Sequence, residues 1–208
     1  MKSHPTKYAG TNFRSRLEAR WAAFFDLAKW SWEYEPVDDE GWVPDFILTR
    51  SGIPVEVKPI EWPAVDKFDV DRVFNITRTR EDLEKVRKSN RLDILVLGAY
   101  PIVVNGAKFP SLGVSRVTFI DGGAREQMAV VTEGESDPGS TPGYPYVVDL
   151  RRNDDFHIWM GSGEAMFRNE KNPASHAHVH ALWREAGNRV QWRGKGAKPT
   201  LFDESEDR

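Results

Sequence analysis

Residues 42–60 read WVPDFILTRSGIPVEVKPI, and this stretch decides how the fold of the chain is interpreted. It has the pattern of two short strands joined by a turn that contains glycine. Because side chains alternate between the two faces of a strand, Glu56 and Lys58 share one face while Val57 points into the opposite layer. Asp45, on the neighbouring strand, is within reach of the same point. The stretch therefore predicts two carboxylates and one ammonium group converging on an otherwise apolar sheet.

Such a group of charges has two interpretations. Burying it is costly unless a further charge compensates it, and a bound divalent cation is a natural compensator. Carboxylate oxygens are hard ligands, which favour magnesium or manganese over zinc. The alternative is a solvated cross-strand ion pair with no function beyond a weak contribution to stability.

Residues 13–30 have the periodicity of an amphipathic helix. Glu18 lies at the edge of its apolar stripe, where its carboxylate can point along the sheet. One hypothesis is that Glu18 reaches the same cleft as the charges on the two strands. The other is that Ser15-x-x-Glu18 is a capping box, which serves only the start of the helix. The apolar stripe consists of Phe13, Leu17, Trp21, Phe24, Phe25 and Ala28.

Four short motifs follow one another in a fixed order. An RSxxE helix start is followed by an aromatic W-x-Y-E-P segment at residues 32–36, then by PDF at 44–46 and EVK at 56–58. In this order they resemble the PD-(D/E)XK nuclease superfamily. The nearest likeness is to phage-encoded nucleases and to the end-cleaving endonuclease subunit of heteromeric transposases. The resemblance covers residues 8–60 and extends more loosely to residue 100.

The resemblance implies an α/β fold with a restriction-endonuclease-like αβββαβ core around a mixed central sheet. It also implies metal-dependent phosphodiester hydrolysis, in which Glu18, Asp45, Glu56 and Lys58 are the catalytic residues. Glu18, Asp45 and Glu56, with the backbone carbonyl of Val57, would hold Mg²⁺ or Mn²⁺. Lys58 would orient the attacking water and offset charge in the transition state.

The net charge of −3 is low for a DNA-binding protein, but the charges are unevenly distributed. Basic segments at residues 1–20, 72–91 and 184–198 contrast with residues 33–45, where every charged residue is acidic. Basic patches beside an acidic centre suit a metal-dependent nuclease, although such runs are also typical of solvated faces. The residues predicted to contact nucleic acid are Arg14, Arg16, Arg78, Arg80, Arg87 and Lys88.

Composition predicts a soluble, cytoplasmic protein, and the resemblance implies a bacterial or phage-infected host cell. The chain has 208 residues, no cysteine and no apolar run of the ~20 residues that cross a bilayer. Eight Trp and eleven Phe supply large groups for a core. The expected partner is DNA, and a second copy of the chain or a recombination or packaging protein is left open as a further partner.

The chain is predicted to divide into a nuclease core at residues 1–100 and a β-rich extension at residues 101–208, which ends in a helix and an acidic tail. The core should continue with a helix over 79–90 and a buried strand over 92–98. The extension is expected to contain one helix, at about 174–186, and four strands, at 114–120, 127–132, 146–150 and 156–160.

These observations favour a divalent-metal-dependent DNA nuclease, acting as an endonuclease. The alternative is a non-catalytic nucleic-acid-binding or assembly protein of a phage or mobile element that reuses the fold. A third hypothesis is a structural protein whose β-rich half makes contacts while the N-terminal half is inert.

Overall fold

A computed structural model describes nine stretches of the chain and shows a mixed α/β protein built on an eight-stranded sheet. The described residues are 4–36, 42–49, 52–66, 94–105, 110–118, 124–132, 147–148, 157–159 and 176–191. The strands are β1 (Thr6–Tyr8), β2 (Thr11–Phe13), β3 (Trp32–Tyr34), β4 (Phe46–Leu48), β5 (Ile53–Val57), β6 (Val65–Asp66), β7 (Ile94–Ile102), β8 (Val104–Asn105), β9 (Ser111–Thr118), β10 (Ala124–Thr132), β11 (Val147–Val148) and β12 (His157–Trp159). The helices in these stretches are α1 (Arg16–Leu27) and α2 (His176–Arg189).

The large sheet has the strand order β11-β12-β10-β9-β7-β5-β4-β3. Its β5–β7 pair is parallel and its other pairs are antiparallel, so the sheet is mixed. All five residues of β5 are buried, as expected of a central strand with neighbours on both sides and layers on both faces. Two small pairings, β1 with β2 and β6 with β8, lie outside this sheet.

Helix α1 begins at Arg16, directly after the serine of the predicted capping box. Ser15 is its N-cap, and the Ser15 hydroxyl accepts a hydrogen bond from the Glu18 N–H at 3.1 Å. The helix ends at Leu27, and Lys29 then takes a left-handed φ of +58° that turns the chain toward β3. Most of its apolar face is buried, with Leu17 and Leu27 partly exposed, so packing contributes to holding the helix in place in addition to helix propensity.

The two faces of the sheet carry separate apolar cores. The helix-side core joins α1 and α2 to residues of β4, β5 and β7, among them Phe46, Leu48, Val55, Val57, Leu95 and Leu97. The second core covers the opposite face and contains Ile60, Trp62, Val65, Ile94, Val96, Ile102, Val104 and Val114.

Gly98 of β7 has a tryptophan side chain close to it on each face of the sheet. Its carbonyl accepts a hydrogen bond from the Trp21 indole N–H at 2.9 Å on the helix side. On the other side, a Cβ at this position would lie 2.0 Å from Nε1 of Trp62. No side chain fits there without moving the Trp62 ring, so glycine allows that ring to pack flat on the strand.

Helix α2 packs on α1 through one basic and one aromatic side chain. The Arg20 guanidinium lies 3.8 Å from the ring centroid of Trp183 and also donates two hydrogen bonds to the Trp183 carbonyl, at 2.9 and 3.2 Å. Gly187 leaves room for this arrangement, since a Cβ there would approach Arg20 to 3.0 Å. The C-terminal helix is thereby attached to the helix that carries Glu18.

Most of the predicted elements are confirmed, with shifted ends. The helix expected over 13–30 is α1, the strand expected over 92–98 overlaps β7 at 94–98, and the four strands and the helix expected beyond residue 101 appear as β9 to β12 and α2. The helix expected over 79–90 lies outside the described residues. The β1–β2 hairpin was not predicted. No described helix is long and apolar enough to cross a membrane.

Candidate active site

Asp45 connects the two strands of the decisive stretch. It comes directly before β4 and its side chain is only 5% exposed. The register of β4 with β5 pairs Phe46 with Val55, so one further step places Asp45 opposite Glu56. Oδ2 of Asp45 accepts the backbone N–H of Val57 at 2.7 Å, which fixes the carboxylate against the neighbouring strand.

Glu56 lies on the face of β5 opposite the helix-side core that contains Val57, and it pairs there with Lys58, the residue after β5. Oε1 of Glu56 pairs with the ammonium group of Lys58. Oε2 of Glu56 is buried and has no hydrogen-bond partner among the described residues. A buried carboxylate oxygen left in this state is costly, and it marks a position where a further positive group can bind.

The surroundings of Asp45 in the site raise the pKa of its carboxyl group. Burial, together with the negative charge of Glu56, raises the pKa of Asp45 to about 7. The Val57 N–H and the positive charge of Lys58 act in the opposite direction, and the charge of Glu18 adds to the rise. Near neutral pH this carboxyl group is therefore poised between its neutral and charged forms, which is typical of functional sites.

Glu18 is buried beside this group, and its carboxylate is fully engaged. Oε1 accepts the Ser15 hydroxyl at 2.7 Å, and Oε2 accepts the Tyr34 hydroxyl at 2.6 Å and the Arg14 N–H at 3.2 Å. Burial and the bond to Glu18 raise the pKa of Tyr34 to about 12. The capping arrangement predicted for Ser15 and Glu18 is thus present, while the ligand role predicted for Glu18 stays a prediction.

Arg14 contacts two carboxylates of the site, those of Asp45 and Glu35. One terminal nitrogen of its guanidinium lies 2.7 Å from Oδ1 of Asp45, and Nε lies 2.7 Å from Oε1 of Glu35. Burial by itself lowers the pKa of Arg14, but the bond to Tyr34 and the charges of Asp45 and Glu35 outweigh it and raise this pKa. The Arg14 side chain nevertheless remains 61% exposed, so it lies at the mouth of the site.

Tyr34 and Glu35 are members of the site that the sequence did not reveal. Both lie in the W-x-Y-E-P segment, which pointed to a family but assigned them no role. Glu35 has a φ of +43°, an uncommon conformation for a residue with a side chain, and its N–H donates to the Asp45 carbonyl at 3.1 Å. That backbone bond and the contact with Arg14 tie Glu35 to the site from two directions.

The donor chemistry of the site suits a hard divalent cation, although the Arg14 guanidinium already pairs with Asp45. Within the described ranges, no three His, Cys, Asp or Glu side chains lie close enough together to form a metal-holding group. Among the described residues, Oε2 of Glu56 is a buried carboxylate oxygen without a hydrogen-bond partner, while each oxygen of Asp45 accepts one bond. A cation held by Asp45, Glu56 and the Val57 carbonyl would therefore compete with the Arg14 guanidinium for Oδ1 of Asp45.

The structure places only part of the predicted nucleic-acid surface. Arg14, which pairs with Asp45, and Arg16, the first residue of α1, are both exposed. Arg78, Arg80, Arg87 and Lys88 lie outside the described residues.

Comparison of the chain with known protein families, with curated proteins and with solved structures gives no match. The likeness to the PD-(D/E)XK superfamily stays a prediction from the sequence motifs. The function is therefore argued from the geometry and chemistry of the site.

Proposed function

We propose that the chain is a divalent-metal-dependent DNA nuclease that cleaves phosphodiester bonds within a strand, in the cytoplasm of a bacterial or phage-infected cell. The observation that carries the proposal is the placement of Glu56. Its carboxylate is buried opposite Asp45, one of its oxygens is paired with Lys58, and the other lacks a partner among the described residues. A fold that needed only stability would gain nothing from this unsatisfied buried oxygen.

Each residue of the site has a separate role in the proposed phosphodiester hydrolysis. The chemistry supplied by a bound Mg²⁺ or Mn²⁺ is polarisation of the phosphate oxygens and a lowered pKa of the attacking water. The Lys58 ammonium group, oriented by Glu56, donates to that water or to a phosphate oxygen as charge develops there. Asp45 is held in position by the Val57 N–H, and Glu18 holds Tyr34 and the backbone before α1 in place beside it.

The proposed substrate is DNA, because its phosphates match the exposed cations at the mouth of the site. Arg14 pairs with Asp45 and is exposed, and Arg16 is an exposed cation two residues further along, so both are available to contact the phosphates of a bound strand. A second copy of the chain or a recombination or packaging protein is a further partner consistent with the proposal. The first measurable consequence is salt-dependent DNA binding.

The test is cleavage of supercoiled plasmid, linear duplex and single strands with Mg²⁺, with Mn²⁺ and with EDTA. We expect ion-dependent nicking or linearisation by the wild type. Asp45→Asn, Glu56→Gln and Lys58→Ala should each reduce the cleavage rate by at least about a thousandfold, since each removes a group that acts in the transition state. Near-ultraviolet circular dichroism should show that the tryptophan environments, and hence the fold, are unchanged.

Glu61→Gln is the matched control, because Glu61 is an exposed acid in the segment that follows the site. It should cleave at the wild-type rate. Cleavage by Asp45→Asn at the wild-type rate in Mg²⁺ would refute the assignment.

A second candidate function is non-catalytic DNA binding, and one observation favours it. Arg14 and Lys58 already pair with the carboxylates of Asp45 and Glu56, which is the state expected of a site that no longer binds a cation. A protein of this kind would give a salt-sensitive mobility shift with DNA. It would produce no cleaved product at any Mg²⁺ or Mn²⁺ concentration.

A further inference from the structure

Arg14 occupies a special position, because it contacts two carboxylates that belong to different parts of the site. Its terminal nitrogen pairs with Asp45, a side chain that is 5% exposed, while its Nε pairs with Glu35, which is 35% exposed. The inner contact compensates a buried charge, and the outer contact holds the guanidinium at the surface. The two contacts can therefore be broken separately.

We infer that Arg14 is a competing internal cation, which a divalent ion must displace from Asp45 and which a DNA phosphate takes over once it is displaced. This inference rests on the proposed function and deepens it, because it says how substrate and metal binding are linked. Arg14 is a positioning and regulatory residue in this scheme, and Asp45 is the shared ligand.

The contacts of Glu35 indicate where the Arg14 side chain would remain after its displacement from Asp45. Glu35 is fixed to the site by its own N–H, which donates to the Asp45 carbonyl. When Asp45 releases the guanidinium, the bond from Nε to Glu35 can persist, so Arg14 stays at the mouth and the nitrogen that leaves Asp45 can bind a phosphate. A guanidinium binds phosphate through parallel hydrogen bonds, so the exchange replaces one charge-assisted contact with another.

This competition would couple the binding of the metal ion to the binding of DNA. If Arg14 and the metal ion exclude each other at Asp45, a phosphate that binds Arg14 raises the affinity for the ion, and the ion raises the affinity for DNA by the same factor. The site would then load its metal chiefly in the presence of substrate. Free protein would keep Asp45 neutralised by Arg14.

The experiment measures the Mn²⁺ dissociation constant by calorimetry for the full-length wild type, Arg14→Gln and Glu35→Gln, with and without phosphorothioate DNA that resists cleavage. Without DNA, Arg14→Gln should bind Mn²⁺ about fivefold more tightly than the wild type or better. Glu35→Gln should bind it more weakly, because Arg14 keeps Asp45 as its remaining carboxylate partner of the two. DNA should tighten Mn²⁺ binding by the wild type and have little effect on Arg14→Gln.

Arg16→Gln is the matched control for loss of a positive charge near the site. Arg16 is exposed and lies two residues further along, so screening should keep its effect on Mn²⁺ affinity within about twofold. If Arg14→Gln does not fold, Glu35→Gln and the wild-type DNA dependence still decide the question.

The outcomes separate this inference from the proposed function. Wild-type protein that cleaves DNA and binds Mn²⁺, with Arg14→Gln equal to it or weaker in Mn²⁺ affinity, overturns the inference alone. An equal gain in Arg16→Gln also overturns it, because the effect is then general electrostatics. Wild-type protein that neither binds Mn²⁺ nor cleaves DNA overturns both.

Discussion

The two faces of the β4–β5 pair carry different kinds of side chain. One face presents Phe46, Leu48, Val55 and Val57 to the helix-side core, where all four are buried among apolar neighbours. The opposite face of the same strands presents Asp45 and Glu56 in buried positions, with Lys58 after them. Backbone, strand length and register are common to both faces, so the side chains alone make the difference.

The comparison shows which of the two faces contributes more to the stability of the fold. The helix-side face is lined by apolar groups, and the one indole N–H from α1 that points into it is satisfied by Gly98. On the opposite face, Oε2 of Glu56 and Nε1 of Trp62 are both buried without hydrogen-bond partners among the described residues. Unsatisfied polar atoms lower stability, so this face contributes less to the stability of the fold than the helix-side face does.

The largest effect on stability is expected from Phe46→Ala. Phe46 is fully buried and its ring contacts the rings of Phe25, Trp32 and Tyr34, with centroids 5.4 to 5.6 Å apart. Truncation should reduce the free energy of unfolding by about 3 to 5 kcal/mol, the usual range for a buried phenylalanine. Urea denaturation followed by tryptophan fluorescence measures this loss.

Ile47→Ala is the control for Phe46→Ala, since Ile47 is the next residue and its side chain lies on the other, less covered face. It should lose less than half as much stability. Equal losses at the two positions would mean that the two faces contribute alike to the fold, which contradicts the comparison.

Asp45→Asn should have a smaller effect on stability, and one that depends on pH. The pKa of Asp45 is about 7 in the folded protein and near its ordinary value of about 4 when unfolded. Between these values the folded state holds the extra proton, so the wild type loses stability as the pH rises from 4 to 7. The Asp45→Asn variant has no carboxyl group to ionise at this position, so its stability does not fall for this reason between pH 4 and pH 7.

We therefore expect the stability of Asp45→Asn relative to the wild type to increase by about 2 kcal/mol between pH 4 and pH 8. Urea denaturation in EDTA at several pH values tests this, because EDTA removes any cation that would charge the carboxylate. The lost contact with Arg14 lowers the stability of the variant at the pH values where Asp45 is charged and so reduces the increase. A difference that is constant across this range would show that Asp45 is not destabilised by burial.

The sequence predicted the helix-side face well because periodic apolar patterns determine it directly. The stripe of α1 and the alternation around Val57 are local properties of the chain, and the apolar run at residues 92–98 was long enough to predict a buried strand. The β1–β2 hairpin was missed because its signal is short. Its turn is made by Ala9 and Gly10, with φ values of +45° and +86°, and the strands beside it have three residues each.

The candidate site was predicted only where its contacts are local. The hydrogen bonds between Ser15 and Glu18 span three residues, and the capping motif identified them. The bond from Tyr34 to Glu18 and the bond from Arg14 to Asp45 join residues 16 and 31 positions apart, and no spacing rule encodes such pairs. Only the packing of β3 and β4 against the start of α1 brings them together.

The smallest effect on stability is expected from Glu18→Gln. This variant tests whether Glu18 acts only through its hydrogen-bond partners or directly on the reacting groups. Its carboxylate accepts bonds from Ser15, Tyr34 and the Arg14 N–H, so the substitution should lower the free energy of unfolding by about 1 kcal/mol. Because Glu18 acts on the site through these partners, DNA cleavage should remain within about tenfold of the wild-type rate.

Ser15→Ala is the matched variant for Glu18→Gln, since it removes the other half of the same cap without altering any charge. The two should lose similar stability, and the double variant should lose less than their sum, because both act on one hydrogen-bond network. If Glu18→Gln instead reduces cleavage a hundredfold while Ser15→Ala does not, Glu18 serves the reacting groups directly. The charged face of the sheet would then extend onto the helix, and the division between a stabilising and a functional face would run through α1 itself.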